Sequence, residues 1–371
     1  MSVRGTKRSK SCRIYEYFNN AKAKISPLKS GLDLSALLKE KMKMSKVTVL
    51  GSGGWGIALA ITAYDCGHNV TLWSPFEEEV NLLKTKRTNE KLLNGVMIPE
   101  DIDITDDMSC VEGSFITIIA TPSTAVRSVA QKLSAYKDFG IVVNVSKGLE
   151  KGSLKRLSQV ISEELEGRYV TVLSGPSHAE EVARKIPTSL TVASECMSAT
   201  GIIQDVLSNE FLRIYTSDDI IGVELGGALK NVIAICAGIC DGLGLGDNTK
   251  AALITRGLAE MARLGVCMGA YERTFAGLTG IGDLVVTCTS RHSRNNRFGN
   301  LVGKGVPVDK ALKEVGTVEG YYAALMAYEL SKKYGIEMPI ITECYEILYN
   351  NRNVETVVKD LMLRPKRSEN L

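Results

Sequence analysis

Three groups of residues in the chain have types and spacings suited to chemistry. The first is Gly51-Ser52-Gly53-Gly54-Trp55-Gly56, a GxGxxG run. In a strand-to-helix turn its first glycine allows the tight turn, its second lets the backbone approach a pyrophosphate, and its third lets helix and strand pack closely. The helix that follows points free N–H groups and its positive dipole end at the phosphates. The second group is a pair of lysines. Lys147 follows the apolar run Ile141–Val145, where an open α/β sheet meets its ligands, although a solvated loop is the commoner place for a lysine. Lys230 follows Gly226-Gly227-Ala228 in a largely apolar stretch. Burial there lowers an ammonium pKa and suits it to proton transfer, and the three small residues leave room for something flat to approach. The competing reading is a lysine that snorkels to water. The third group is Ser293-Arg294-Asn295, a planar charged fork with neutral donors, as a phosphate monoester requires. An exposed basic loop would look the same.

Other positions are weaker. Ser174-Gly175-Pro176-Ser177-His178 again follows a strand, and its backbone N–H groups and the Ser177 hydroxyl could line a ligand. Adjacent Ser177 and His178 do not make a nucleophile pair, since neighbouring side chains rarely face each other, and the GxSxG elbow is absent. His178 reads as a helix cap or pocket wall before it reads as an acid/base. The acidic residue expected after the second strand to bind a ribose 2′-hydroxyl is displaced: the strand ends Trp73-Ser74-Pro75-Phe76 and the first carboxylate is Glu77. No Arg stands there for a 2′-phosphate, so the cofactor leans toward NAD. Glu77–Glu79 also reads as the acidic first turn of a helix.

The elements that must position these groups alternate in the first half. Strands are expected at Val47–Leu50, Asn69–Trp73, Phe115–Ala120, Ile141–Val145, Val170–Leu173 and Ser189–Ala193. Helices are expected near Ile57–Cys66, Phe76–Lys86, Ser123–Leu133 and Leu154–Glu164. That rhythm implies a parallel, doubly wound, Rossmann-type sheet. Beyond Ser217 helical patterns take over: Ile220–Cys240, Thr249–Met268 (capped by Thr249), Val308–Leu312, Gly320–Tyr334, Ile340–Tyr349 and Val354–Met362. The division expected is a basic extension over 1–44, a dinucleotide-binding domain over 45–217, an all-helical substrate domain over 218–363, and a tail over 364–371.

Composition narrows the function classes. The chain has 371 residues, 44% hydrophobic and 23% charged, the profile of a globular protein of two domains. Its net charge of +3 is uneven. Residues 1–46 hold 12 Lys/Arg against 3 Asp/Glu, and the rest hold 33 against 39, so the body is mildly acidic and carries no nucleic-acid footprint. The extension reads as an over-long start ahead of Met44-Ser45-Lys46, as a tail, or as a basic transit segment; Leu32–Met42 within it has the pattern of a short amphipathic helix. No signal-peptide core is present. The apolar stretch Val232–Cys240 is too short to span a membrane. Nine scattered cysteines and three histidines show no metal spacing, and Cys236 and Cys240, four apart, mark a core face.

From Val47 to about Arg364 the chain resembles bacterial-type NAD(P)-dependent glycerol-3-phosphate dehydrogenase. GSGGWG, VSKGLE, LSGPSHAEEV, IIGVELGGALKN, DGLGLGDNTKAALITRGLAEMARLG, LTGIGDLVVTCTS and HSRNNRFG stand in that family's order. The resemblance implies interconversion of dihydroxyacetone phosphate and sn-glycerol 3-phosphate with NAD or NADP, for phospholipid synthesis, in a cytoplasmic enzyme and a homodimer. It implies Lys230 as proton donor and acceptor, Lys147 as a second active-site lysine touching substrate and cofactor, and Asp283 as their partner. Gly51, Ser52, Gly53, Gly54, Trp55, Gly56, Phe76, Ala179, Arg294 and Glu319 fall on the cofactor side. Gly175, Ser177, Thr287, Ser293, Arg294 and Asn295 fall on the substrate side. Many bacterial members carry His-Arg where this chain has Pro75-Phe76, which weakens any carry-over of NADP preference. Two other readings remain: a related two-domain hydroxy-acid dehydrogenase, which would lack the Ser-Arg-Asn cluster, and a dinucleotide-binding sensor, which need not keep Lys147, Lys230 and Asp283 together.

Overall fold

The computed structural model describes residues 44–366, 368 and 369. The amphipathic helix expected at Leu32–Met42, the rest of residues 1–43, and residues 367, 370 and 371 of the expected tail lie outside the described residues.

Apolar, β-branched runs alternate with helical patterns, and the chain winds accordingly. The order is β1 (Lys46–Leu50), α1 (Gly54–Asp65), β2 (Asn69–Trp73), α2 (Glu77–Lys86), β3 (Asp103–Thr105), β4 (Ser114–Ile119), α3 (Val126–Leu133), β5 (Phe139–Asn144) and α4 (Leu157–Glu164). Then come β6 (Val170–Ser174), α5 (Ala179–Val182), β7 (Thr188–Ala193), α6 (Met197–Leu207) and β8 (Leu212–Ser217). The eight strands form one sheet in the order β3-β2-β1-β4-β5-β6-β7-β8. Strand order reverses between β1 and β4, and the crevice beyond their carboxyl ends is where open α/β sheets take ligands.

The sheet departs from the all-parallel expectation at one place. β6 pairs antiparallel with β7, while β7 and β8 run parallel to each other. A parallel neighbour needs a full crossover, usually a helix, and the β6–β7 link carries only the four-residue α5. β3, α6 and β8 also go beyond the expected set. β3 has three residues and too little pattern to read, whereas β8 alternates buried Leu212 and Ile214 with exposed Arg213 and Tyr215, a period-2 signal.

The second half is helical: α7 (Ile220–Gly242), α8 (Asp247–Cys267), α9 (Glu272–Phe275), α10 (Asp283–Thr289), α11 (Arg294–Gly303), α12 (Val308–Val315), α13 (Glu319–Tyr334), α14 (Pro339–Asn350) and α15 (Val354–Met362). α7 is buried continuously from Gly222 to Cys240 and is the axis on which the others pack. It is long and apolar enough to cross a membrane, longer than the Val232–Cys240 stretch read from sequence. However, 94% of its apolar window is buried inside the protein, which makes it a core helix. Cys236 and Cys240 lie on that core, as their spacing implied. α8 begins at Asp247 with Gly246 as its N-cap, so Thr249 sits inside the first turn and is not the cap.

Candidate active site

The glycine-rich turn joins β1 to α1, and each glycine has a distinct cause. Gly51 adopts φ +124°, and a Cβ there would lie 2.6 Å from the Ala120 carbonyl oxygen. Gly56 packs so closely that a Cβ would fall 1.9 Å from the Gly51 carbonyl oxygen. Around Gly53 nothing lies within 4 Å of a would-be Cβ, which leaves the space a pyrophosphate needs. Gly53 is also the N-cap of α1 and brings no side chain to cap the first turn. Beside the turn, Trp55 Nε1 and Thr121 Oγ1 are buried with no hydrogen-bond partner among the described residues. Ala179 stands against Gly54, its Cβ 3.6 Å from a Cβ built there. An open cradle, free helix N–H groups and two orphaned polar atoms fit a bound dinucleotide.

The lysines meet on one carboxylate. Lys147 leaves the end of β5 and donates to Asp283 Oδ2 at 2.7 Å, to the Gly175 carbonyl at 3.0 Å and to Ser177 Oγ at 3.4 Å. Lys230, from the middle of α7, donates to Asp283 Oδ1 and, at 2.8 Å, to Thr287 Oγ1. Asp283 opens α10 directly after the π-helical turn Leu278–Gly282, a wide turn of the kind often found at functional sites. Lys230, Asp283 and Thr287 are all buried. Burial, helped by the like charge of Lys147, lowers the Lys230 ammonium to about 7, against the opposing pull of Asp283. Burial alone would push the Asp283 carboxyl up, but the Lys147 and Lys230 charges together outweigh it and hold Asp283 below the usual carboxylate range.

The small residues before Lys230 admit protein rather than a flat ligand. A Cβ on Gly226 would lie 2.3 Å from the Thr279 carbonyl oxygen, and one on Gly227 would lie 2.8 Å from Ser174 Oγ and 3.5 Å from Lys147 Cγ. These glycines let α7 press against β6 and the π-helical turn, which brings the two lysines together. Gly175 sits at φ +140° with Leu190 close by, and the Ser177 hydroxyl donates to the Gly175 carbonyl. His178 occupies the N-cap position of α5 but its side chain caps nothing. Burial first, and the Lys230 charge second, lower its pKa, and its Nε2 has no hydrogen-bond partner among the described residues.

Ser293-Arg294-Asn295 opens α11, a helix that the polar sequence disguised as a loop. Ser293 caps it by accepting from the Asn296 N–H. The Asn295 side chain donates to Asn231 Oδ1 and accepts from the Gly320 N–H, both at 2.9 Å, tying together α7, α11 and α13. Arg294 is exposed and forms no ion pair among the described residues. Glu319, at the start of α13, is raised by burial and accepts from the Ser123 hydroxyl at 2.6 Å. Phe76 is exposed after β2. Sequence reasoning missed Glu79. Glu77 and Glu78 are exposed, while Glu79 turns inward and accepts from Ser52 Oγ at 2.7 Å and Ser74 Oγ at 2.6 Å. All three glutamates lie in the first turn of α2, so their position gave no signal to single out Glu79.

A doubly wound sheet with a dinucleotide turn, joined to a helical half that carries a lysine into the same crevice, defines a nicotinamide-dependent dehydrogenase. A family model described as the NAD-dependent glycerol-3-phosphate dehydrogenase N-terminus matches residues 46–200, and one described as its C-terminus matches residues 219–359. The chain is 51% identical over 331 residues to glycerol-3-phosphate dehydrogenase [NAD(P)+] of Fusobacterium nucleatum, covering 88% of this chain and 99% of that one. To the enzyme of the same name in Desulfitobacterium hafniense it is 50% identical, covering 88% and 93%. The crystal structure of glycerol-3-phosphate dehydrogenase from Coxiella burnetii aligns with a TM-score of 0.83 at 37% identity, over 86% of this chain and 99% of that one. The chain belongs to the NAD-dependent glycerol-3-phosphate dehydrogenase family.

Proposed function

We propose that this chain interconverts dihydroxyacetone phosphate and sn-glycerol 3-phosphate at the Lys147–Asp283–Lys230 bridge. The observation that carries the reading is that bridge itself: two ammonium groups share one buried carboxylate, and Lys147 follows β5 at the same carboxyl edge of the sheet as the Gly51–Gly56 turn. Gly51, Ser52, Gly53, Gly54, Trp55 and Gly56 would hold the dinucleotide pyrophosphate, with Phe76, Lys147, Ala179, Arg294 and Glu319 around it. The nicotinamide, when bound, supplies or takes up the hydride at the carbon that bears the reacting oxygen. Lys230 Nζ holds the proton for that oxygen. With its pKa near 7, both its ammonium and its amine are within reach at neutral pH. Asp283 fixes the direction of both ammonium groups, and Lys147 faces the charge that develops on the oxygen. Arg294, without an ion pair among the described residues, takes the phosphate together with Ser293 and Asn295. Gly175, Ser177 and Thr287 line the rest of the substrate site.

The same reading divides the chain into a dinucleotide domain over 45–217 and a substrate domain over 218–363. It supplies glycerol 3-phosphate to phospholipid synthesis and places a homodimer in the cytoplasm. The eight described cysteines, all free, suit a reducing compartment. The test is oxidation of NADH and NADPH by the purified chain with dihydroxyacetone phosphate and, in parallel, with unphosphorylated dihydroxyacetone. Oxidation confined to the phosphorylated ketone is expected. Turnover of both ketones at equal kcat/KM would remove the phosphate grip, and turnover of neither would remove the reaction.

A further inference from the structure

The ends of β1 and β2 hold a carboxylate that the proposed chemistry does not use. The two strands are parallel neighbours in register from Lys46–Asn69 to Leu50–Trp73, and the Gly51 N–H donates to the Trp73 carbonyl at 2.9 Å. Ser52, in the glycine-rich turn, and Ser74, directly after β2, are both buried. Their hydroxyls converge on one oxygen of Glu79 at 2.7 and 2.6 Å. The other oxygen, Oε1, makes no hydrogen bond among the described residues. Glu79 is half-buried, unlike its exposed neighbours Glu77 and Glu78. The serine clamp fixes the carboxylate in place at the end of the second strand, where dinucleotide folds bind the adenosine ribose. No Lys or Arg occurs between Ser74 and Leu83. The nearest arginine along the chain, Arg87, is committed to Glu100 and to the carbonyls of Pro99 and Ile102.

We infer that Glu79 reads the adenosine ribose, accepting from its 2′-hydroxyl through Oε1 and repelling a 2′-phosphate, so that this chain prefers NAD(H) to NADP(H). The inference rests on the dinucleotide site proposed above and adds its selectivity. A ribose hydroxyl can donate to a carboxylate, whereas a phosphate ester has no proton to offer at neutral pH and brings a like charge. Ser52 and Ser74 prevent the carboxylate from swinging away to relieve that repulsion.

The experiment measures dissociation constants of the full chain for NADH and NADPH by fluorescence titration. Calorimetry adds those for 5′-AMP and adenosine 2′,5′-bisphosphate. Wild type is expected to bind NADH about tenfold or more tighter than NADPH, the ratio that about 1.4 kcal/mol produces, and to rank the two adenosine probes the same way. Glu79→Gln keeps an acceptor for the serines but removes the charge, and is expected to bring both ratios close to unity, chiefly by tightening the 2′-phosphorylated ligands. Equal or tighter NADPH binding by wild type overturns the assignment. So does a Glu79→Gln variant that weakens both cofactors by the same factor, since that is the mark of a brace for the turn. The wild-type ratios stand even if the variant does not fold. Binding of neither cofactor overturns the dinucleotide site itself, and the Glu79 assignment with it.

Discussion

At the scale of single residues, the proposed chemistry depends on how one carboxylate divides itself between two lysines. Lys230 is driven down by burial and held up by Asp283, and its position near 7 is the balance of the two. The sign of the pH dependence follows. If Lys230 donates the proton as proposed, ketone reduction needs its protonated form, so kcat in that direction should be full below about 7 and fall as pH rises through it. Alcohol oxidation needs the free amine and should rise through the same range. Asp283→Asn removes the influence that raises Lys230, so both limbs should move to lower pH. Lys230→Met should lower kcat by about 10²–10⁴-fold, the usual yield of a positioned acid/base, with cofactor affinity unchanged. Profiles of kcat in both directions check this, and limbs that stay put in Asp283→Asn would show that another group titrates. Lys147 and Lys230 stood out in the sequence by a strand end and a run of small residues, contexts that a solvated or snorkelling lysine shares, and Asp283 came through the family resemblance. Glu79 was not legible, because three consecutive glutamates carry no sign of which one turns inward.

At the scale of elements, α7 and α11 meet through glycine rather than through interdigitating side chains. A Cβ on Gly238 would lie 2.0 Å from the Asn296 carbonyl oxygen, and one on Gly299 would lie 2.0 Å from that of Ile235. Gly242 and Gly303 repeat the contact one turn along, at 2.4 Å from the carbonyls of Asn300 and Ile239. This approach brings Asn295, the neighbour of exposed Arg294, within reach of Asn231. Gly238→Ala should therefore push α11 outward. The expected cost is about 1–3 kcal/mol of stability, typical of overpacking, and a raised KM for the phosphorylated substrate with less change in cofactor affinity. Urea unfolding and steady-state kinetics measure the two, and a stable variant of unchanged KM would show that α11 is placed by other contacts. The sequence hid this element for a physical reason. Ser293–Asn300 is polar enough to read as a loop, and its glycines look like turn residues until the partner helix is known. Six strands of the first half were legible because each carries an apolar, β-branched run, whereas β3 is only three residues long and β8 alternates buried and exposed positions. The reversal at β7 was not legible, because nothing within a strand records which way its neighbour runs.

At the scale of the whole molecule, the sheet half and the helical half share polar locks as well as a core. Glu224, on α7, is buried and accepts from the Ser158 N–H at 2.8 Å, from the Ser158 hydroxyl and from Arg156, all at the start of α4. Arg156 is itself buried, so the pair is desolvated on both sides. A second lock runs from Glu319 at the start of α13 to Ser123 beyond β4, with Gly148 alongside. Glu224 lies on the same helix as Lys230, so the first lock also fixes the register at which the lysine enters the crevice. Removing one partner of a buried pair leaves the other charged and unsolvated, which costs about 3–5 kcal/mol. Glu224→Ala should lose that much stability because Arg156 keeps its charge. The double variant Glu224→Ala with Arg156→Met should recover a large part of it, since the stranded charge is gone and apolar volume replaces it. If the lock also registers Lys230, the double variant should regain stability without regaining kcat. Denaturant unfolding followed by kinetics of all three proteins separates the outcomes: full recovery of kcat would show that burial of α7 alone aims the lysine, and no recovery of stability would mean that the Arg156 charge was never stranded.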